Sequence, residues 1–258
     1  MQNYCKTIGA LAAASALAAG NASAIELEYE LHTGYSNQYI FRGVEQGENL
    51  VEVGADVATE YNGIGLSAGV WYGSFNGTAE FGNNPNNPNR FIETDVHEID
   101  LYAEASKDFG FATAAVGYIA YTYNNVNYRD NNNSFGLGPE DTQEVYFSLS
   151  RDFGFAAASL TYFWDVDGDN NGYTELGLSR SFELSPCLAL NLSTTVGFAI
   201  EEAAFTPWTT KVALDWGFAE HAKLSPFVAL SVGGEADSGY ESDSTNELIG
   251  GSMLSVSF

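Results

Sequence analysis

The residues of this chain alternate. Twelve short segments put apolar side chains on one parity and polar ones on the other, and a period of two marks strands whose two faces meet different surroundings. In the first, Ile25, Leu27, Tyr29 and Leu31 oppose Glu26, Glu28, Glu30 and His32. In the second, Val51, Val53, Ala55 and Val57 oppose Glu52, Asp56 and Glu60, and the last runs into Leu254, Val256 and a C-terminal Phe258. Lipid admits only helices and closed barrels, because each pairs all of its backbone polar groups internally. No stretch of about 18 apolar residues is present for a helix. The expected fold is therefore all-β: a transmembrane, antiparallel, up-and-down β-barrel of about 12 strands.

The connections between segments alternate in length. Asn62-Gly63, 107–110, 151–154 and 183–187 are short and 217–225 is somewhat longer, whereas 37–49, 76–94, 124–142, 166–172, 201–207 and 234–246 are long and polar. Short periplasmic turns and long outer loops are the outer-membrane pattern, which places both termini on the periplasmic side. Lys107-Asp108-Phe109-Gly110-Phe111-Ala112 returns as Arg151-Asp152-Phe153-Gly154-Phe155-Ala156, and Leu184-Ser185-Pro186 returns as Leu224-Ser225-Pro226. These are matching turns in matching hairpins.

Residues 1–24 read as a secretory leader: Lys6, an Ala/Leu run from Ile8 to Ala19, and a small-residue cleavage site at Ala22-Ser23-Ala24. The barrel domain is then 25–258. It carries eight basic residues against 34 acidic ones, a net charge of −26. Such a chain repels nucleic acid, offers no basic surface to anionic phospholipid, and has cations as its natural partners. Aromatic content of 14% argues against disorder.

Period two alone leaves the inside and outside of a barrel undecided, and a soluble lipocalin-like barrel would reverse the faces. Export, loop asymmetry and aromatic residues near strand ends (Trp71, Tyr72, Tyr121, Tyr123, Tyr162, Trp164, Trp208, Trp216) favour lipid outside.

Tyr39-Ile40-Phe41-Arg42-Gly43-Val44-Glu45-Gln46, followed by an alternating strand with Trp71 and by Glu98-Ile99-Asp100-Leu101-Tyr102, resembles the TorF-type porins. The likeness spans about Tyr35–Tyr123. It implies outer-membrane location and a pore, and it brings no catalytic residues. The ending Leu254-Ser255-Val256-Ser257-Phe258 is similar to the terminal strand through which such barrels meet the barrel-assembly machinery.

In this register Glu28, Glu30, Glu52, Asp56, Glu60, Glu98, Asp100, Glu104, Glu144 and Asp215 take the lumen parity, with Lys211 and Arg180 as the chief strand cations. Acidic rings in a confined pore favour cations; the alternative is that these groups only hydrate the interior. Arg42 either folds inward as a constriction or makes a loop ion pair. Asp165, Asp167 and Asp169 have alternate spacing suited to Ca2+, yet Asn170 and Leu176 stand where the EF-hand pattern has Gly and Glu, so a solvated turn competes with the metal site. No other cofactor is expected. Asp95-x-His97 could serve a rim hydrolase, but His97 shares parity with Ile99 and Leu101 and no nucleophile is nominated, so no enzyme is expected. The expected function is passive diffusion of small cations or polar solutes. The alternative is a closed barrel whose outer loops bind a ligand, metal or partner, because twelve strands fall between a filled eight-stranded interior and an open sixteen-stranded one.

Overall fold

The computed structural model describes residues 26–81, 90–124, 136–137, 141–168, 171–233 and 246–258, and there is no helix among them. The leader at 1–24, the Asn/Pro run at 83–89 and Asp169 lie outside the described residues.

The strands are β1 (Glu28–Phe41), β2 (Val44–Tyr61), β3 (Ile64–Phe81), β4 (Arg90–Asp108), β5 (Thr113–Tyr123), β6 (Gly136–Leu137), β7 (Thr142–Asp152), β8 (Ala157–Asp165), β9 (Tyr173–Ser185), β10 (Leu188–Ala199), β11 (Ala204–Phe205), β12 (Trp208–Gly217), β13 (Ala222–Val232) and β14 (Glu247–Ser257). β6 and β11 are two-residue additions at the ends of β3 and β10 far from the chain termini. The other twelve pair antiparallel in chain order. β14 pairs with β1 from Glu30↔Ser257 to Ser36↔Gly251, so the sheet closes. Phe258 completes the seam: its N–H donates to the Tyr29 carbonyl at 2.9 Å and its own carbonyl accepts from Tyr29 N–H at 3.3 Å.

Turn chemistry explains the short ends. Asn62 and Gly63 both have positive φ (54° and 71°), the type I′ geometry that matches strand twist. The two repeated motifs fold alike. Asp108 and Asp152 accept hydrogen bonds from Gly110 and Gly154 N–H at 2.7 and 2.6 Å, and Phe109 and Phe153 N–H each donate at 3.0 Å to the alanine carbonyl that opens the return.

The faces sort as lipid outside requires. Leu31, Val53, Leu101, Phe147, Leu160 and Val228 are exposed on the outer wall, whereas Glu98, Glu144 and Asp215 are buried. So broad an exposed apolar belt is stable only against lipid, which sets aside the soluble lipocalin-like alternative.

Two expectations need correction. Residues 37–49 are not a loop: β1 and β2 run through them to a two-residue turn at Arg42-Gly43, again with positive φ at both positions (53° and 83°). The residues here are polar because this hairpin is not in lipid. Similarly, β3 and β4 extend to Phe81 and from Arg90, beyond the expected ends at 75 and 95.

Leu101→Arg, on the lipid face of β4, is expected to destabilise the barrel by about 2–4 kcal/mol. Urea unfolding in vesicles measures it, and a neutral result would contradict the assignment of that face to lipid.

Candidate functional site

Residues directly opposite each other in a β-ladder point to the same side of the sheet. Glu30 pairs with Asp56, Asp56 with Gly69, and Gly69 with Tyr102. Glu52 pairs with Gly73, Gly73 with Glu98, and Glu98 with Tyr123; Trp71 pairs with Asp100, and Asp100 with Tyr121. The register thus gathers Glu30, Glu52, Asp56, Glu98 and Asp100 on one inner wall formed by β1–β4. Glu104 shares the face lower on β4, and Glu144 follows on β7 opposite Ile119. Glu28 and Glu60 keep the same parity, exposed near the short-turn end, and Asp215 stands apart on β12.

Glu30, Glu52, Asp56, Glu98, Glu104 and Glu144 each meet a donor from a strand one or two away. Tyr102 Oη donates to Asp56, Trp71 Nε1 to Glu52 at 2.7 Å, Tyr123 Oη to Glu98 at 2.9 Å and Tyr121 Oη to Glu144 at 3.0 Å. Tyr146 Oη reaches Glu104 at 2.8 Å, and Ser257 Oγ reaches Glu30 at 3.0 Å. His32 Nδ1 lies 3.3 Å from Asp56. Such pairs rigidify the wall and fix where its charge sits. Trp71, Tyr121 and Tyr123 therefore belong to the lumen and not to an interfacial girdle. Their parity with Asp100 and Glu98 carried that information, but position at a strand end masked it. Glu98 is 1% exposed, and it and Asp100 interact side chain to side chain on this wall, with no other donor to Glu98 Oε2 or Asp100 Oδ1 among the described residues.

Glycines make room for the aromatic donors. A Cβ at Gly69 would meet the Tyr102 ring, and one at Gly117 would meet the Tyr146 ring. Each pair is directly opposed in the ladder, so the tyrosine lies across the strand toward its carboxylate.

The β1–β2 hairpin enters the lumen at the end far from the chain termini. Arg42 Nη1 and Nη2 donate to Glu144 Oε1 and Oε2 at 2.8 and 2.6 Å, a bidentate pair across the barrel to β7. The guanidinium carbon sits 4.7, 4.6 and 4.4 Å from the ring centres of Phe41, Phe163 and Tyr173. Phe41 packs edge-on against Tyr121 at 5.8 Å. On the other side of the turn, Ser231 Oγ donates to the Gly43 carbonyl at 2.8 Å, and a Cβ on Gly43 would run into the Pro207 carbonyl. Behind the hairpin, Leu50, Phe75 and Val96 form a buried cluster against Tyr39, Trp71 and Tyr123. Arg42 thus stands inside the lumen, held by charge, by three rings and by a glycine that no side chain could replace.

The other half differs. Ser148, Ser159, Thr161, Ser179, Ser181, Asn191 and Ser193 line β7–β10 with small polar groups. Lys211 points inward on β12, with its ammonium 4.0 Å from the Phe227 ring centre. Lys223 pairs with Asp215 at 3.3 Å. Arg180 is a correction: it pairs in the ladder with Leu192, which lies opposite Val212 on the lipid face, so it points out of the barrel.

Asp165 Oδ1 accepts from Asp167 N–H and Gly168 N–H at 2.9 Å each and from Thr142 Oγ1 at 3.2 Å. That is the geometry of an Asp-built turn, and no cluster of three metal-ligating side chains occurs among the described residues. His97 faces outward, stacked on Tyr72 with ring centres 6.0 Å apart, and Tyr72 Oη lies 2.9 Å from its Nδ1.

A family model described as a bacterial protein of unknown function, Gcw_chp, matches residues 18–233. The chain belongs to the Gcw_chp family. No curated protein sequence matches it. Among solved structures, this Gcw_chp chain is similar to an outer membrane channel from Pseudomonas putida F1, with 11% identity, a TM-score of 0.54 and coverage of 92% of this chain and 97% of that one. It is also similar to the KdgM porin, with 10% identity, a TM-score of 0.50 and coverage of 89% and 99%. At these identities the shared property is the fold, a closed barrel of the outer-membrane type.

A double-mutant cycle with Arg42→Ala and Glu144→Gln is expected to give a coupling energy of about 1–3 kcal/mol, as for groups in direct buried contact. Additive losses in urea titrations would show that the pair does not hold the hairpin.

Proposed function

We propose that this chain is an outer-membrane diffusion channel for small cations and polar solutes, narrowed at its outer mouth by the β1–β2 hairpin. The observation that carries this reading is the division of the lumen: a carboxylate wall on β1–β4 faces a hydroxyl-lined wall on β7–β10, and Arg42 reaches from the β1–β2 hairpin across to Glu144, Phe163 and Tyr173 on β7–β9. Carboxylates with few opposing lumen cations attract counter-ions into the confined space. The fold shared with a channel and a porin agrees with the reading, as does the likeness of Tyr39–Gln46 to TorF-type porins.

The orientation belongs to the same proposal: Asn62-Gly63 and the two repeated turns on the periplasmic side, with both termini. Partners are then membrane lipid, the permeating ions, and the assembly machinery meeting β14. No cofactor is required, since Asp165 serves its own turn. No catalysis is assigned, since His97 sits with Tyr72 toward the lipid interface. A second reading, a closed barrel presenting its outer loops, draws on the same hairpin: Arg42 and its three rings occupy the space that a solute would use.

Planar-bilayer recording under a salt gradient separates them. Discrete steps with a cation-selective reversal potential are expected, and Glu52→Gln, Asp56→Asn and Asp100→Asn together should lower the selectivity. Arg42→Ala should raise the unit conductance by roughly twofold or more by loosening the narrowing. Folded protein that fails to conduct even with Arg42→Ala would replace the channel with the closed barrel.

A further inference from the structure

Eight basic residues follow the leader in a chain that otherwise carries only acids. Arg42, Lys211 and Lys223 lie in the lumen. Three others share the opposite face. Lys107 pairs with Ala114, which pairs with Leu149; Arg151 pairs with Ala158, which pairs with Leu178; Arg180 pairs with Leu192. Leu149 and Leu178 are exposed on the lipid wall, so Lys107, Arg151 and Arg180 project from that wall at the short-turn end. They stand on β4, β7 and β9, each two strands from the next, which spaces them by about 10 Å.

Each cation sits beside a phenylalanine of its own strand end. Lys107 Nζ lies 5.9 Å from the Phe109 ring centre, Arg151 Cζ 5.1 Å from Phe153, and Arg180 Cζ 5.4 Å from Phe182. Phe111 and Phe155 follow in the same turns, 65% and 76% exposed, with Phe109–Phe111 and Phe153–Phe155 centres 6.3 and 6.1 Å apart. The nearest acids, Asp108 and Asp152, are turned into their own turns to bond Gly110 and Gly154. Among the described residues, none of the three cations makes an ion pair. In each pair the ring follows the cation toward the short turn, and a cation bordered by leucines on one side and by rings on the other forms an amphipathic contact at a lipid interface.

We propose that this row is a binding belt for anionic phospholipid, with Lys107, Arg151 and Arg180 meeting headgroup phosphates and the repeated Phe-Gly-Phe turns lying beside them in the headgroup region. The Lys/Arg-Asp-Phe-Gly-Phe repeat is then a recurring lipid contact as well as a turn. The expectation that this acidic chain offers no basic surface to such lipid holds for its net charge and fails for this edge. Assigning the belt to the periplasmic leaflet rests on the orientation proposed above; the binding itself does not.

The test is native mass spectrometry of the mature barrel in detergent with equal amounts of phosphatidylglycerol and phosphatidylethanolamine. The phosphatidylglycerol adduct should exceed the other by roughly threefold or more, from charges next to a headgroup. Lys107→Gln, Arg151→Gln and Arg180→Gln together should bring the ratio close to one, while Lys211→Gln with Lys223→Gln in the lumen should leave it unchanged. Heat-shifted gel mobility checks folding, and Arg151→Gln alone, with an intermediate ratio, replaces the triple variant if that fails to fold. Equal adducts on the unaltered chain would overturn the belt in favour of a soluble acidic partner at this rim, and a preference that survives the triple variant would overturn its location. Labelling of a cysteine placed at Gly63 in intact cells reads orientation separately, so a reversed barrel would move the belt to the other leaflet without touching the lipid preference.

Discussion

Closure between β1 and β14 is the constraint from which the rest of the molecule follows. In hydrocarbon an unpaired strand edge would expose a row of N–H and C=O groups at several kcal/mol each. The seam from Glu30↔Ser257 to Ser36↔Gly251, extended by Phe258 and Tyr29, removes that edge. Once the sheet is closed, every residue has one of two addresses. Leucines, valines and isoleucines of one parity meet lipid, and the other parity has to tolerate a shared, confined, largely polar interior.

That interior is shared between the side chains of the wall and one hairpin. The hairpin belongs to β1 and β2, whose outer ends fold across the opening instead of standing away from it. Bringing a guanidinium into a partly buried site carries a desolvation cost that a single carboxylate does not reliably repay. Here Glu144 is bidentate, and Phe41, Phe163 and Tyr173 surround the guanidinium. Arginine is the only basic side chain with the planar fork for the first contact and the flat faces for the second. The turn that delivers it needs two residues with positive φ and a backbone close to Pro207, which Arg42-Gly43 supplies.

The barrel class, its twelve long strands and the Asn62-Gly63 turn were legible in the sequence because each depends on contacts between near neighbours: alternation along one strand, or φ at one turn. The acidic parity was legible for the same reason. What escaped were facts that depend on distant strands. Residues 37–49 are polar, and polarity reads as loop; that the polar surroundings are the barrel's own mouth shows only once β7, β8 and β9 stand opposite. Trp71, Tyr121 and Tyr123 looked like girdle residues from their place near strand ends, although their parity with Asp100 and Glu98 assigned them to the lumen. Arg180 was counted as a lumen cation by composition, and its partner Leu192 places it outside.

The distribution of positive charge follows one rule throughout. In a chain of net charge −25, a cation can find a counter-charge almost anywhere within the protein, and Arg42 and Lys223 do so at Glu144 and Asp215. Lys107, Arg151 and Arg180 are placed where the wall offers leucine and phenylalanine instead, while the adjacent Asp108 and Asp152 are occupied by glycine N–H groups. A fixed charge at the edge of a low-dielectric region is least costly when a mobile counter-charge gathers there. In the proposed belt the counter-charge at Lys107 and Arg151 is supplied by headgroups, since Asp108 and Asp152 are held within their own turns, while Arg180 also donates to the Gly154 carbonyl.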